Sequence, residues 1–308
     1  MSSPEELERK AKKSTKGLFQ YIFGSGDDDA QDLFNQAANL YKQRKQWKDA
    51  ARCYLEAAAI GEREKDTIFA ASNLVEAANA MQKDDEYTLE HIDVLMRAAN
   101  LYNAQGRFAQ SGRILSNAAD GFRERGDHKN AIDLYYKAAE FYELDEYGKV
   151  ACSQIRMKYA DLVSQYTEKY TEAIRIYETE GYKNLKNQLL QYGVKDIFLK
   201  AGLLHVAGCD ATDAQIAFDK YSAAEPKFAA SREGRFLKAI IDACEAEDAT
   251  QFQQVVEEFD SISKLDPWKV HVLVKIKATL PGTHDGVGAP RLDADEQNGD
   301  SDEHVDLT

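Results

Sequence analysis

Proline is scarce in this chain of 308 residues, and basic residues are outnumbered by acidic ones. The chain has only 5 prolines, which favours long uninterrupted helices, because a proline removes a backbone donor from a helix interior. It has 39 Lys and Arg against 53 Asp and Glu, and its formal net charge is −14. This balance argues against nucleic acid as the main partner, because binding to phosphates requires a basic surface.

Cysteines are few and follow no pattern. The chain has four, widely separated and without a CxxC pair: Cys53, Cys152, Cys209 and Cys244. They indicate scattered thiols in a reducing compartment rather than a disulfide framework. No stretch reaches the roughly 18 apolar residues that a membrane span needs, and the opening MSSPEELERKAKK has no apolar signal core. We therefore expect a soluble, cytoplasmic protein.

Catalytic and metal-binding patterns are also lacking. We find no Walker-type phosphate loop, no GxSxG, no HExxH and no Cys/His metal spacing. The six histidines are dispersed, and none has a second ligand at helical spacing. The acid run at 293–303 has Gln297 and Asn298 where a calcium loop needs an oxygen ligand and then Gly. The sequence therefore predicts a non-enzyme with no metal and no cofactor.

What the sequence does contain is a repeat of adjacent alanines, in helical phrases such as QAANLY, RAANLY and KAAEFY. The pairs follow one another in steps of 20 or 21 residues: Ala37-Ala38, Ala57-Ala58, Ala77-Ala78, Ala98-Ala99, Ala118-Ala119 and Ala138-Ala139. A period near 40 residues, split into equal halves, is typical of stacked helix–turn–helix repeats, and short side chains let neighbouring helices approach closely. We predict an all-α fold, a right-handed tetratricopeptide-like solenoid of antiparallel helices, which is an architecture that presents extended binding surfaces.

Composition divides the chain into four predicted parts. A basic and apolar segment covers residues 1–26, the helical solenoid 27–225, and a C-terminal helical bundle 226–280. The tail at 281–308 has eight acids and one base, and we expect it to be disordered, because it cannot bury enough apolar surface. Helices are predicted at about 29–44, 47–63, 67–82, 87–105, 107–125, 128–143, 149–166, 170–180, 186–207, 211–223, 230–247, 249–263 and 267–280.

The N-terminal segment has one cluster of large apolar residues. Lysines and Arg9 precede the cluster, which consists of Leu18, Phe19, Tyr21, Ile22 and Phe23. This pattern suits an interfacial membrane anchor, because lysines attract anionic lipid while aromatic side chains enter the acyl boundary. The alternative is that the cluster packs against the first repeat.

Charged residues form two further groups. The basic group lies at repeat turns and helix starts: Lys42, Arg44, Lys45, Lys48, Arg107 and Arg113. The acidic group lies late in the chain: Asp242, Glu245, Glu247 and Asp248, followed by Glu257, Glu258 and Asp260. Either group can be a solvated face, which is the common fate of exposed charges. If both are functional, they describe an adaptor with a basic face early in the chain and an acidic face late.

Several phrases resemble the soluble NSF attachment proteins of the alpha type. They span residues 5–280 in order: ERKAKKSTKGLFQYIFG (8–24), QAANLYKQRKQW (36–47), QGRFAQSGR (105–113), AIRIYE (173–178), KDIFLKAGLLH (195–205) and FDSISKLDPWKVHVLVKIKATL (259–280). The resemblance implies an all-helical cytosolic adaptor that associates peripherally with membranes. It also implies binding to the four-helix SNARE bundle left after membrane fusion, and recruitment of the hexameric ATPase NSF to disassemble that bundle in vesicle traffic.

The resemblance also implies roles for individual residues. Lys45, Arg107 and Arg113 match basic SNARE-binding positions, and a further one falls on Ala151, close to Arg156. Residues 18–23 match the membrane-attaching loop. The NSF-binding acids match Asp210, Asp242 and Glu245. The third acid of the family's C-terminal cluster falls on Ala246, beside Glu247 and Asp248. The penultimate Leu307 matches a leucine that stimulates the ATPase. The runner-up function is a tetratricopeptide co-chaperone that clamps a C-terminal carboxylate.

Overall fold

A computed structural model of the chain describes residues 3–16, 26–84, 89–208 and 211–281. The described residues form fourteen α-helices and one short 3-10 helix, Gln191–Gly193, and contain no strand. The all-α prediction is confirmed. The helices are α1 Pro4–Lys16, α2 Gly26–Gln43, α3 Trp47–Arg63, α4 Thr67–Met81, α5 Glu90–Ala104, α6 Phe108–Glu124, α7 His128–Leu144, α8 Lys149–Tyr166, α9 Tyr170–Leu185, α10 Val194–Ala207, α11 Ala211–Ala224, α12 Arg232–Glu245, α13 Ala249–Ile262 and α14 Pro267–Ala278.

The alanine pairs lie in the interior of the helical array. Each helix from α2 to α7 carries one pair, and none of the twelve alanines is more than 8% exposed. A methyl side chain lets neighbouring backbones approach closely, so each pair marks the level at which adjacent helices pack. The repeat predicted from the sequence is therefore confirmed.

Short turns of one recurring geometry join many of the helices. Their central residue has a positive φ of 59–81°: Lys45, Lys65, Gly106 and Gly126. In three of these turns the next N–H donates to a carbonyl five residues earlier, as in a Schellman motif: Gln46 to Tyr41 (3.0 Å), Arg107 to Tyr102 (2.9 Å) and Asp127 to Phe122 (3.0 Å). The turns close the carbonyl ends of the helices and reverse the chain, so consecutive helices run antiparallel.

Antiparallel helices place successive turns alternately on two edges of the array. One edge, which we call the α2–α3 edge, carries the turns after α2, α4, α6 and α8. On this edge Lys48 Nζ lies 3.8 Å from an Asp84 carboxylate oxygen. The opposite edge, which we call the α3–α4 edge, carries the turns after α3, α5, α7 and α9. On this edge the Ala109 N–H donates to Asp145 Oδ2 at 3.2 Å. Side chains also link helices that are two apart in the sequence: Asn35 with Asn73 (3.0 Å), Glu62 with Arg97 (3.0 Å), and Asp120 with Lys158 (2.8 Å). The odd-numbered and the even-numbered helices therefore form two layers.

The last helix folds back onto the middle of the chain. One continuous core cluster extends from Ala160 to Leu280, and α14 packs against α8 and α10. Trp268 Nε1–H donates to Ser164 Oγ at 3.0 Å, and the buried Lys269 ammonium bridges Asp196 (2.7 Å) and Asp266 (2.6 Å). This docking ties the C-terminal helix to residues about a hundred positions earlier. The predicted division of the chain at residue 225 remains a prediction.

Several predicted boundaries differ from the structure; the helix predicted at 170–180, for example, continues to Leu185 as α9. Residues 4–16 form a helix, α1, which packs on α2 with Leu7 and Ala11 buried, so the first part of the predicted attachment segment belongs to the fold. The helix predicted at 186–207 begins only at Val194. The Asn187 side chain accepts the Leu189 N–H at 2.9 Å, and such local side-chain bonds compete with helical backbone bonds.

Some predicted features lie outside the described residues. They are the apolar residues at 18–23, Cys209, Asp210, and the acidic tail with Leu307. Within the described parts of the chain, no helix combines the length and apolarity needed to cross a bilayer.

Candidate functional site: unpaired cations and an acidic corner

Three of the four predicted SNARE-binding residues are exposed, and they lie at different places on the array. Lys45 is the central residue of the turn on the α2–α3 edge, whereas Arg107 precedes α6 on the α3–α4 edge. The two edges are separated by a helix of 15 residues, which is a length of about 22 Å. Arg113 lies on α6 itself. The structure therefore distributes these cations across the width of the array.

These three cations also share an electrostatic property. Lys45, Arg107 and Arg113 have no ion-pair partner among the described residues; Arg107 Nη1 donates only to the neutral Gln110 Oε1 at 3.2 Å. The other members of the predicted basic group are neutralised: Lys42 by Glu76, Arg44 by Glu5 (3.3 Å) and Lys48 by Asp84 (3.8 Å). The structure thus separates the basic group into charges used within the fold and charges available to a partner.

Arg156, the fourth predicted SNARE-binding residue, is one of the charges used within the fold. It lies in a groove of about 390 Å³ between α7 and α9, with Nη2 2.8 Å from Glu143 and Nη1 4.0 Å from Glu180. The Glu180 side chain is only 1% exposed and also accepts from Ser153 and Lys183. A buried carboxylate is costly unless it is paired, so the charge of Arg156 stabilises the α7–α9 contact.

The predicted acids Asp242, Glu245, Glu247 and Asp248 come together where α12 meets α13, and we call this group the acidic corner. Glu245, Glu247 and Asp248 are exposed. Glu247 has a φ of 53°, and the Asp248 N–H donates to Ala243 O at 3.0 Å, so the corner repeats the turn geometry of the first half. The corner is therefore an ordered turn that holds its carboxylates at fixed positions.

Two residues of the acidic corner also have structural roles. Asp248 caps α13, because its carboxylate accepts the N–H groups of Thr250 and Gln251 at 2.9 Å each. Asp242 accepts from Lys238 Nζ at 2.6 Å, and the same ammonium donates to Gln215 Oε1 of α11 at 2.7 Å. The helix that begins at Ala211 is thereby connected to the corner helix. Glu245 and Glu247 remain as the carboxylates without a structural bond among the described residues.

Sequence reasoning missed a further cluster, which anchors α1. The Glu8 carboxylate, almost fully buried, accepts from Arg52 Nη2 (3.1 Å), Lys12 Nζ (2.6 Å) and the Tyr41 hydroxyl (3.2 Å). The hydrogen bonds from Arg52 lower the pKa of Glu8 from 4.5 to about 2. Leu7 and Ala11 at helical spacing were the available signal, and the basic composition of the segment obscured it. This anchor fixes the helix that precedes residues 18–23.

Comparisons with known proteins agree with the resemblance seen in the sequence. The family model described as "Soluble NSF attachment protein, SNAP" matches residues 2–281. The chain is 34% identical over 280 residues to the alpha-soluble NSF attachment protein of Mus musculus, covering 90% of this chain and 93% of the relative. The corresponding protein of Vitis vinifera is 33% identical over 276 residues, with 90% and 93% covered.

A further relative and one solved structure are also similar to the chain. The probable vesicular-fusion protein sec17 homolog of Schizosaccharomyces pombe is 34% identical over 289 residues, covering 92% of this chain and 99% of the relative. A crystal structure of C. therm. Get4 aligns with 94% of this chain and 93% of its own, at 11% identity and a TM-score of 0.31, which is too low to support an argument. On the strength of the family match and these identities, the chain belongs to the soluble NSF attachment protein family.

Proposed function

We propose that this protein is an adaptor, not an enzyme, which binds assembled SNARE bundles and brings an NSF-type ATPase to them. The observation that carries the proposal is that predicted contact residues of both signs are exposed and have no ion-pair partner among the described residues. Lys45, Arg107 and Arg113 are such cations, and exposed carboxylates cluster where α12 meets α13. An adaptor needs two such surfaces, so that it can hold a partner at each end.

The unpaired cations suit an acidic, rod-like partner. Because Lys45 and Arg107 lie on opposite edges, a partner that touches both must extend across the width of the array, as a helix bundle can. Arg113 adds a third charge on the layer between the two edges. Complementary charges of this kind steer association and fix register, and their effect weakens as salt rises.

The acidic corner suits a basic domain of the ATPase. Glu245 and Glu247 present charge from an ordered turn, and Asp210 and Asp242 are the other acids that family resemblance assigns to this contact. We further propose that Leu307 stimulates ATP turnover, and that Leu18, Phe19, Tyr21, Ile22 and Phe23 attach the adaptor to the membrane. Under this proposal the protein acts in vesicle fusion as a peripheral membrane component.

The test is reconstituted SNARE disassembly with the purified ATPase. Arg107→Glu with Arg113→Glu should weaken binding to soluble SNARE bundles at least tenfold, about 1.4 kcal/mol. The matched control reverses two exposed lysines of α7, Lys129→Glu and Lys137→Glu, and changes the net charge equally. Equal binding by the two double variants would overturn the assignment of the basic surface.

The acidic corner is tested in the same assay. Glu245→Lys with Glu247→Lys should abolish assembly with the ATPase and leave SNARE binding intact. Reversal of Glu257 and Glu258, exposed on α13, supplies the control, and Asp248 is left unchanged because it caps that helix. A corner variant that still supports full disassembly would refute the proposed ATPase contact.

A further inference from the structure

The segment between α9 and α10, which we call the α9–α10 loop (residues 186–193), exposes large apolar side chains. Leu189 is 88% exposed, Tyr192 82% and Leu190 42%. Single exposed apolar residues are common on protein surfaces, but three within four positions form a local apolar tip. This tip is therefore a candidate contact surface.

The charge around the tip is unusual for this protein. Acids make up 53 of the 308 residues, yet residues 181–195 contain none, and three lysines occupy this stretch: Lys183, Lys186 and Lys195. Lys183 also pairs with Glu180 at 3.2 Å. Burial acts to raise the pKa of Glu233, but interactions led by the hydrogen bond from Arg232 outweigh burial and lower it, and Lys195 makes the smallest contribution to this shift. Lys186 is exposed and has no ion-pair partner among the described residues. Along the sequence the apolar tip is thus flanked by lysines and by no acid, and Lys186 is the flanking charge that a partner can reach.

Hydrogen bonds within the loop satisfy several of its backbone N–H and C=O groups. The Asn187 carbonyl accepts the N–H groups of Leu190 (3.1 Å) and Gln191 (2.9 Å), and the Leu190 carbonyl accepts that of Gly193 (3.1 Å). The Asn187 side chain accepts the Leu189 N–H. A backbone that enters a lipid interface loses water as a partner, so internal hydrogen bonds lower the cost of entry. The loop is an ordered turn that directs its apolar side chains outward.

The position of the loop provides an independent argument. The α9–α10 loop lies on the α3–α4 edge, and α2 begins on that same edge, because α2 ends on the other one. Residues 18–23, the proposed membrane-attachment residues, precede α2 directly in the sequence. The proposal therefore requires one surface that follows the α3–α4 edge and meets both segments, and it rests on the proposed attachment.

We propose that the α9–α10 loop is a second contact with an anionic lipid bilayer. Leu189 and Tyr192 enter the interface between headgroups and acyl chains, and Lys186, with Lys183 and Lys195, attracts the phosphates. A short apolar tip with basic flanks binds lipid weakly by itself, and stable attachment takes two such signals. The loop therefore strengthens attachment that the N-terminal residues begin.

The neighbouring turn on the same edge offers a matched control. Tyr147 is 92% exposed and Val150 62%, but this turn carries the acids Asp145 and Glu146. Leu189→Ser with Tyr192→Ser should lower binding of the full chain to phosphatidylserine-containing vesicles roughly tenfold, because two apolar side chains no longer enter the interface. Tyr147→Ser with Val150→Ser should change it less than about twofold. Equal losses in the two double variants would overturn the proposal.

A direct measurement of depth uses a Tyr192→Trp variant. The native indoles lie at half-buried and buried positions, Trp47 and Trp268, so an added indole at the tip reports separately. Its fluorescence should be quenched by vesicles of brominated phosphatidylserine and not by vesicles of brominated phosphatidylcholine. Absence of quenching in both kinds of vesicle would refute insertion. Loss of binding to soluble SNARE bundles by the Leu189→Ser, Tyr192→Ser variant would also overturn the proposal, since the tip would then contact protein.

The N-terminal attachment is tested separately. Phe19→Ser with Ile22→Ser and Phe23→Ser should leave weak binding to phosphatidylserine vesicles, which Leu189→Ser and Tyr192→Ser then remove. If the N-terminal variant binds as the unchanged protein does, the proposed attachment residues are wrong. If its remaining binding is unaffected by the loop changes, the loop proposal is wrong.

Discussion

Helices α2–α7 bury a regular series of alanine pairs beside rings such as Phe34 and Tyr54, whereas α8–α14 enclose a larger, connected group of aromatic rings. In the first half, the pairs from Ala37-Ala38 to Ala138-Ala139 lie in core clusters that join helices next to one another or two apart in the sequence. In the second half, Phe198 stacks on Tyr221 with ring centroids 4.5 Å apart and meets Phe228 edge-on at 5.8 Å. Both halves are built of antiparallel helices, so the difference lies in how far along the chain each helix finds its partners.

That difference has consequences for stability. In the first half each helix depends mainly on its neighbours, so stability accumulates repeat by repeat. In the second half, the hydrogen bond from Trp268 to Ser164 joins residues 104 positions apart, and α14 closes the core around α8 and α10. We expect α8–α14 to unfold as one unit, and α2–α7 to retain structure when that unit is disrupted.

The largest expected effect comes from Trp268→Ala. The change removes a buried ring, the bond to Ser164, and the cation–π contact with Lys200 at 4.9 Å, and should cost about 3–5 kcal/mol in the free energy of unfolding. Hydrogen exchange should show lost protection in α8–α14 while α2–α7 keep theirs. Trp47→Ala, at a half-buried position, is the control. Equal loss of protection in both halves would show that the array unfolds as a single unit.

A pair of glycine substitutions compares a tightly packed position of the second half with an open position of the first half. A Cβ at Gly202 of α10 would overlap the Leu237 side chain, so Gly202→Ala should lower the free energy of unfolding by about 2 kcal/mol. A Cβ at Gly121 of α6 would meet only the tip of Gln82 at 3.4 Å, so Gly121→Ala should raise it by about 0.5–1 kcal/mol through helix propensity. Urea titrations measure both. The comparison fails if the two changes have the same sign.

A further effect is expected to be confined to α1. Glu8→Gln should weaken docking of α1 by about 1–2 kcal/mol, because a charge-assisted hydrogen-bond network is lost, and should leave α8–α14 unchanged. Hydrogen exchange of residues 4–16 measures this docking. An unchanged urea midpoint for global unfolding would confirm that the effect of Glu8→Gln is local. Lower hydrogen-exchange protection in α8–α14 would contradict a local effect.

The same carboxylate predicts a pH dependence. Its pKa is lowered from 4.5 to about 2 in the folded protein, so its contribution to α1 docking is complete above pH 4.5 and is lost as the pH falls toward 2. Glu8→Gln should remove this part of the pH dependence. Protection of α1 that falls equally with pH in both proteins would assign the loss to other groups.

Sequence by itself determined the helical repeat, several helix bounds and the family. The bounds of α3 and α8 agree with the prediction residue for residue, because capping and turn signals act within a few residues. The alanine pairs identified the buried level of each helix, since periodicity along a helix reports which face is covered. The acidic corner was also predictable, because its members are neighbours in the chain.

Tertiary structure decided which charges a partner can reach. Lys42 is neutralised by Glu76 and Arg44 by Glu5, partners more than thirty residues away that no local pattern identifies, whereas Lys45 beside them has none among the described residues. The docking of α1 through Glu8 and Arg52, and the placement of Lys45 and Arg107 on opposite edges, arise in the same way. Local periodicity determines each helix, but ion pairs and edges are set by contacts between helices that are distant in sequence.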